Sequence, residues 1–261
     1  MQIWQVDCYR SDRAPSVWEL FICEPTPGEF RYRATCPQSE VSSEWLLAQL
    51  SSFGALPKTI QVFRPQTLHL LEPVGQKLGI AIAPTRRTTT LKEWIVGEGK
   101  GSIAIEQPPP LPLPETLWGD RWRFATIRAD DLISGIGDRL IPFKSLPEDL
   151  LPLNLGLPST LSIPGVVIDG GRQSRQFCQW LAEVEPVSLN FIPGQPDGLI
   201  LESGLVDRWV IATFEDPEVR QAGQTYEQRK QQPRRLHFLL VQPDNSGMTY
   251  TGLWLLQSSD K

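Results

Sequence analysis

Apolar and polar positions near the start of the chain follow the period of β-strands. Ile3 to Tyr9 (IWQVDCY) and Val17 to Cys23 (VWELFIC) are rich in β-branched and aromatic residues, and Phe30 to Thr35 (FRYRAT) alternates. The turn residues PTPG lie between the second and third stretches, so the three predict an antiparallel meander. From Ser39 to Phe53 the period becomes helical. Trp45, Leu46, Leu50 and Phe53 share a face, Ser42 or Ser43 offers a cap, and Gly54 a stop. Thr59 to Phe63 (TIQVF) reads as a short strand. Gln66 to Leu78 reads as a second helix, interrupted by Pro73 and closed by Gly79. Ile80 to Ala83 is a further strand. Thr90 to Val96 starts a third helix, with Thr89 or Thr90 as cap and Glu93 in its first turn. The predicted order is β-β-β-α-β-α-β-α.

That order, a meander followed by alternating βα units, is similar to the ribonuclease H-like fold, an analogy of architecture that transmits no activity. From Gly97 to about Pro158 the pattern breaks. EQPPPLPLPETL (Glu106 to Leu117) predicts an extended, semi-rigid polyproline segment, a linker or a proline-motif ligand. Trp118 to Ile127 adds one strand, and repeated Leu-Pro pairs follow. Beyond them, Gly165 to Ile168 is a strand and Ser174 to Val184 an amphipathic helix. Leu189 to Phe191, Gly198 to Glu202 and Arg208 to Thr213 are strands, Pro217 to Gln232 a polar helix, and Leu236 to Val241 and Met248 to Leu255 two last strands. The expected division is an N-terminal α/β domain over residues 1–100, a Pro/Leu-rich connector over 101–157, and a second, mixed α/β domain over 158–261.

Composition narrows the function more than the fold. The chain has 261 residues, 40% of them hydrophobic, enough for a core without disulfide or metal staples. No apolar run approaches the ~20 residues that cross a bilayer, and the N-terminus MQIWQVDCYR has no apolar signal core, so a cytoplasmic protein without membrane insertion is expected. A net charge of −5 argues against coating nucleic acid by bulk electrostatics. The positive charge is unusual in kind: 18 Arg against 7 Lys. Arg presents a planar fork suited to phosphates and bases, although a lineage bias gives the same count. Cys8, Cys23, Cys36 and Cys178 form no C-x-x-C, and only His69 and His237 could assist them, so neither a metal nor a cofactor is expected.

Candidate chemistry follows from element ends. Asp7 sits where a ribonuclease H-like nuclease would carry its first metal ligand, but the strand that should supply a partner ends in Phe63-Arg64-Pro65, with a cation in place of an acid. Asp7 therefore reads as a hydrogen-bonding structural residue and no catalytic residue is assigned. Nucleophile-elbow, P-loop, dinucleotide and zinc-protease motifs are absent. FRPQ places Arg64 and Gln66 after one strand, and PTRRTTTLKEW places Arg86 and Arg87 between a strand and a helix start. Successive strand ends of an α/β sheet open on one edge, so these four form one candidate anion site. Asp169-Gly170-Gly171-Arg172 is either a plain strand-to-helix turn or one that offers backbone N–H groups to a phosphate. GGRQSRQ adds Arg172 and Arg175 as candidates. Trp94, Trp180, Trp209 and Trp254 fall in core patterns.

WQVDCYR with VWELFICE, IQVFRPQ, APTRRTTTLKEW, LSIPGVVIDGGR with the following QWL, LHFLLVQ and a near-terminal GLWLL together resemble the Tab-type translation-factor family. The resemblance runs from Trp4 to Leu256 and departs at Ile168-Asp169-Gly170-Gly171-Arg172, where a Ser/Arg-rich sequence is expected, and at Leu253, where an aromatic is expected. It implies an RNA-binding protein of chloroplasts or cyanobacteria that activates translation of a photosystem I reaction-centre messenger near its 5′ untranslated region. The expectation is thus a non-enzymatic RNA binder of cyanobacterial type acting in photosystem biogenesis, with translation or photosystem assembly proteins as further partners. The alternatives are a structure-selective metal-dependent nuclease and a non-catalytic protein-interaction scaffold.

Overall fold

A computed structural model of the protein describes residues 2–11, 16–26, 30–99, 103 and 108–258. The chain forms two compact units, Met1–Glu106 and Gln107–Lys261.

The first unit runs β1 (Ile3–Arg10), β2 (Val17–Cys23), β3 (Arg31–Pro37), α1 (Ser43–Ser51), β4 (Thr59–Val62), α2 (Pro65–Leu78), β5 (Ala81–Pro84) and α3 (Thr89–Gly97), the predicted order. Its sheet has the order β3-β2-β1-β4-β5. β1, β2 and β3 pair antiparallel, and β4 and β5 extend the sheet parallel to β1. Period-two alternation gives the sheet two different faces. Trp4, Val6, Cys8, Leu20, Ile22, Ile60 and Val62 form an apolar core with Leu46 and Leu50 of α1 and Leu71 and Val74 of α2. The opposite face carries Phe21, Cys23 and Phe63 under Leu91 and Ile95 of α3. Asp7 belongs to this second face, since its cross-strand partner is Phe21.

Two local expectations need correction. α2 is continuous across Pro73. A proline here forgoes only the bond to the His69 carbonyl, and both residues are exposed, so water can satisfy that group. α2 ends, as expected, at Gly79 in the left-handed region. The cap of α3 is also different. Thr88 is the capping residue but makes no side-chain cap. Instead Leu91 N donates to Gln5 Oε1 of β1 at 3.0 Å. The cap comes from a residue distant in sequence, so no local pattern announces it.

The second unit has two sheets. One has the order β7 (Arg121–Arg128), β9 (Ser162–Asp169), β13 (Leu236–Gln242), β14 (Gly252–Gln257) and β8 (Phe143–Ser145). The other has the order β10 (Pro186–Ile192), β11 (Asp197–Ser203), β12 (Asp207–Phe214) and β6 (Leu111–Pro112). α4 (Ser174–Val184) follows β9, and α5 (Pro217–Arg229) follows β12. Val166, Ile168, Leu239 and Trp254 pack with Phe177 and Leu181 of α4 and with Leu199 and Leu201 of the second sheet. Ile163, Val167, Phe238 and Leu253 pack instead with Leu132, Ile141 and Leu150.

Residues 106 and 107 of the proline-rich run lie outside the described residues. From residue 108 the run joins the second unit: Leu111 and Pro112 pair parallel with Trp209 and Val210, and Leu113 and Leu117 are buried in the core. Pro110, Pro112 and Pro114 have no N–H, so this edge cannot template a further strand.

The opposite edge, β10, is completed by side chains. Leu189 N donates to His237 Nε2 at 2.9 Å, Phe191 N donates to Glu227 Oε1 at 2.8 Å, and Leu189 O accepts from Tyr226 Oη at 2.7 Å. Lys230, buried at the end of α5, donates to Leu189 O, Asn190 Oδ1 and Ser258 Oγ and pairs with Glu227 at 2.9 Å. His237 Nδ1 lies 2.9 Å from the Arg235 carbonyl, so the ring is a neutral Nδ1–H tautomer. Burial and the nearby Lys230 charge hold it well below the ordinary histidine range.

Candidate nucleic-acid interface

The C-terminal ends of β1, β4 and β5 lie on one edge of the first sheet because the three strands run parallel. Arg64 follows β4 in extended conformation and caps α2, with Pro65 as the first helical residue. Its Nε donates to Asp7 Oδ2 at 2.8 Å, and its guanidinium lies 4.9 Å from the Tyr9 ring centre and 5.0 Å from that of Phe63. Thr67, one turn into α2, shares its hydroxyl proton between Asp7 Oδ1 at 3.0 Å and Cys8 O at 2.9 Å and accepts from Cys8 N at 3.1 Å. Both Asp7 oxygens are therefore engaged. Burial pushes the Asp7 carboxyl up, and Arg64 and Thr67 pull it back. Asp7 is thus hydrogen-bonded, as the sequence suggested. Among the described residues no group of three or more His, Cys, Asp or Glu side chains is placed to hold a metal ion.

The loop after β5 is pinned from three sides. Thr85 N donates to Val62 O at 2.8 Å, and Arg87 N donates to Thr85 Oγ1 at 3.1 Å. Lys92 Nζ donates to Arg86 O at 2.6 Å. Gln5, buried on β1, donates to Gln61 Oε1 at 3.1 Å while it caps α3. Arg86 is buried, Arg87 is half-buried, and Gln66 is exposed on the first turn of α2. Arg64 and Arg86 share one neighbour in Lys92, whose ammonium both guanidinium groups disfavour.

Lys92 is the residue that the sequence reading missed. It sits in the first turns of a helix, the end that disfavours cations. That misfit is visible in TTLKEW and could have drawn attention to it. Gln5 and Thr67 were beyond reach, since their roles depend on contacts between β1 and distant elements.

In the second unit Arg172 lies in the turn Gly171–Gln173 and Arg175 in the first turn of α4, both exposed. The turn is not an open anion cradle. Gly170 N donates to Gln242 O at 2.9 Å and Gly171 N to Pro243 O at 3.0 Å. Gly171 has φ +54°, and a Cβ there would lie 2.2 Å from an Asp120 carboxylate oxygen. Asp169 is held by Arg123 at 3.0 Å and Gln242 at 2.7 Å. The backbone N–H groups of Gly170 and Gly171 are thus spent within the fold, as in a plain strand-to-helix connection. Trp254 is buried, and Trp94, Trp180 and Trp209 are partly buried in aromatic clusters.

Both units fall within one class: the chain belongs to a family of RNA-binding proteins. A family described as "RNA-binding protein Tab2/Atab2 N terminal" matches residues 3–98, and its companion, "RNA-binding protein Tab2/Atab2, C-terminal domain", matches residues 100–257. The chain is similar to the chloroplastic TAB2 homolog of Arabidopsis thaliana, with 26% identity over 280 residues that cover 97% of this chain and 74% of the relative. The chloroplastic TAB2 homolog of Zea mays is 26% identical over 279 residues, 97% of this chain and 70% of the relative. Among the described residues no helix is long and apolar enough to cross a membrane.

Proposed function

We propose that this protein binds the 5′ untranslated leader of a photosystem messenger, in the first instance one for a photosystem I reaction-centre subunit, and promotes its translation. The observation that carries this is the edge formed by the ends of β4 and β5, where Arg86 and Arg87 precede α3 and Arg64 and Arg86 both face Lys92, in a member of an RNA-binding family. Arg86, Arg87 and Gln66 contact RNA there, while Arg64 holds Asp7 and shapes the edge. Arg172 and Arg175 are proposed as a second, exposed contact. Few, local contacts suit a chain of net charge −5, with selectivity taken from Arg forks and loop shape.

We further infer that the first unit is ribonuclease H-like in its strand order without the chemistry of a nuclease, and that the protein acts in the cytoplasm of a photosynthetic bacterium. Translation or photosystem assembly proteins are its further partners. Crosslinking the protein to RNA in photosynthetic cells and sequencing what it holds tests the reading. Enrichment of a photosystem leader is expected; RNA recovered in proportion to abundance would sink it.

A further inference from the structure

Lys92 is a half-buried cation with unfinished hydrogen bonding. An ammonium has three donors, and the Arg86 carbonyl is the acceptor it finds among the described residues. Its Nζ also lies over the Phe63 ring, 5.0 Å from the ring centre. Among the described residues the charged groups that face it are Arg86 from the β5–α3 loop, Arg64 from the start of α2 and Asp7 from β1. Asp7 is already bound by Arg64 and Thr67. Burial first, and then the two guanidinium groups, pull the Lys92 ammonium down to about 8. One turn earlier, Thr88 is fully buried, and its hydroxyl has no hydrogen-bond partner among the described residues. Lys92 N donates to Thr88 O at 3.0 Å, so the two belong to one turn. An incomplete ammonium and an orphan hydroxyl at a helix start together mark a place that an anion would complete.

We propose that Lys92 contacts an RNA phosphate at the start of α3, and that docking this phosphate draws a proton onto the protein. The proposal rests on the RNA-binding reading above and adds to it a phosphate subsite and its pH linkage. A phosphodiester beside Lys92 favours the charged ammonium and returns it toward the ordinary lysine range. Above about pH 8 the free protein holds Lys92 largely neutral, and the complex holds it charged. The complex then binds more protons than the free protein, so affinity falls as pH rises, by up to about tenfold per pH unit. The buried thiols do not mimic this, since burial pushes Cys23 up to about 11 and Cys178 up to about 12.

The test is calorimetric titration with a single-stranded RNA oligonucleotide of randomised sequence just above pH 8, in two buffers of different ionisation enthalpy. The wild type should take up a large fraction of one proton on binding. Lys92→Arg, charged at every working pH, should bind without proton uptake and keep its affinity at alkaline pH. Lys92→Met should bind more weakly, without proton uptake, and with a log–log salt slope reduced by about one. Thermal melting of each variant shows that it is folded. RNA binding by the wild type with no proton uptake, or uptake that persists in both variants, would overturn the subsite and leave the RNA-binding reading standing. Absence of RNA binding by the wild type at any pH would bring down that reading and the subsite with it.

Discussion

Lys92 in the first unit and Lys230 in the second are both drawn into the protein, and they serve different ends. Lys230 reaches a carbonyl, an amide oxygen, a hydroxyl and a carboxylate, and with Tyr226, Glu227 and His237 it completes the outer edge of β10. Among the described residues Lys92 reaches one carbonyl and faces two guanidinium groups and the Asp7 carboxylate that Arg64 already holds. Burial of a cation is therefore no sign of a site; what distinguishes the two is the balance of donors and charges around them. The charge of the chain is divided in the same sense. Residues 1–106 hold 11 Lys and Arg against 11 Asp and Glu, so the whole net charge of −5 lies in residues 107–261. The unit with no net charge has the converging cations, and the acidic unit has the closed network.

The contrast breaks most readily at Lys230. Lys230→Met removes the cation from Glu227 and the ammonium donor from Leu189 O and Asn190, a loss of up to about 3–5 kcal/mol when a buried pair is broken. Chemical denaturation should show that loss in the second unit, while Lys92→Met should cost little stability. Equal losses in the two variants would mean that Lys92 is as structural as Lys230.

Acid sharpens the same comparison. His237 is fully buried and accepts from Leu189 N, so it must be neutral in the folded state. Its folded value lies well below the ordinary 6.5. Below that ordinary value the unfolded chain binds a proton that the folded chain refuses. Stability from this group is therefore complete above about pH 6.5 and falls by up to about 1.4 kcal/mol per pH unit below it. Glu227 and Lys230 share the network, and Tyr226 is held protonated by burial. Acid titration followed by hydrogen exchange should show the second unit opening first, at β10 and β13. First loss of protection in β1 and β4 would contradict this.

Much of the first unit was legible because its signals are local. The period-two strands, the Ser42 cap and the Gly79 stop each act over a few residues, and all are found. That Arg64 and Arg86 both face Lys92 fits a topological rule about parallel strand ends. The Asp7–Arg64 pair was half legible, since a cation stood where a nuclease needs an acid. Gln5 as a helix cap and the recruitment of Leu111 to the edge of a sheet were not legible, because both are settled by packing between elements far apart in sequence. The β10 network was hidden for the same reason: Glu227 and Lys230 look like solvated positions on a polar helix until β10 is laid against them.

The remaining tests concern RNA contacts and carry smaller effects on the fold. Arg86→Ala and Arg87→Ala should each weaken RNA binding and shrink the log–log salt slope by about one unit per phosphate contact. A lowered melting temperature with an unchanged slope would assign these arginines to the fold. With magnesium or manganese the protein should leave labelled RNA and DNA intact, because both oxygens of Asp7 are held by Arg64 and Thr67. Metal-dependent cleavage that disappears in Asp7→Asn would restore the nuclease reading.

The smallest effect is expected at Arg172 and Arg175. Both are exposed, and the turn they flank is closed by Gln242, Pro243 and the nearby Asp120. Truncating either to Ala removes no buried contact, so stability should stay within about 0.5 kcal/mol of the wild type. Salt dependence then reads the RNA contribution without interference from folding. Asp120 and Asp169 beside the turn repel a phosphate, and the unit as a whole is acidic, so a contact here must be made by side chains reaching outward. If they do reach RNA, the double variant should lose up to about two units of salt slope, and the second unit contributes to the interface. If the slope is unchanged while Arg86→Ala and Arg87→Ala reduce it, RNA binding belongs to the first unit alone. Any partner of the acidic unit is then to be sought at the exposed positions of α5, such as Gln221, Gln224 and Gln228.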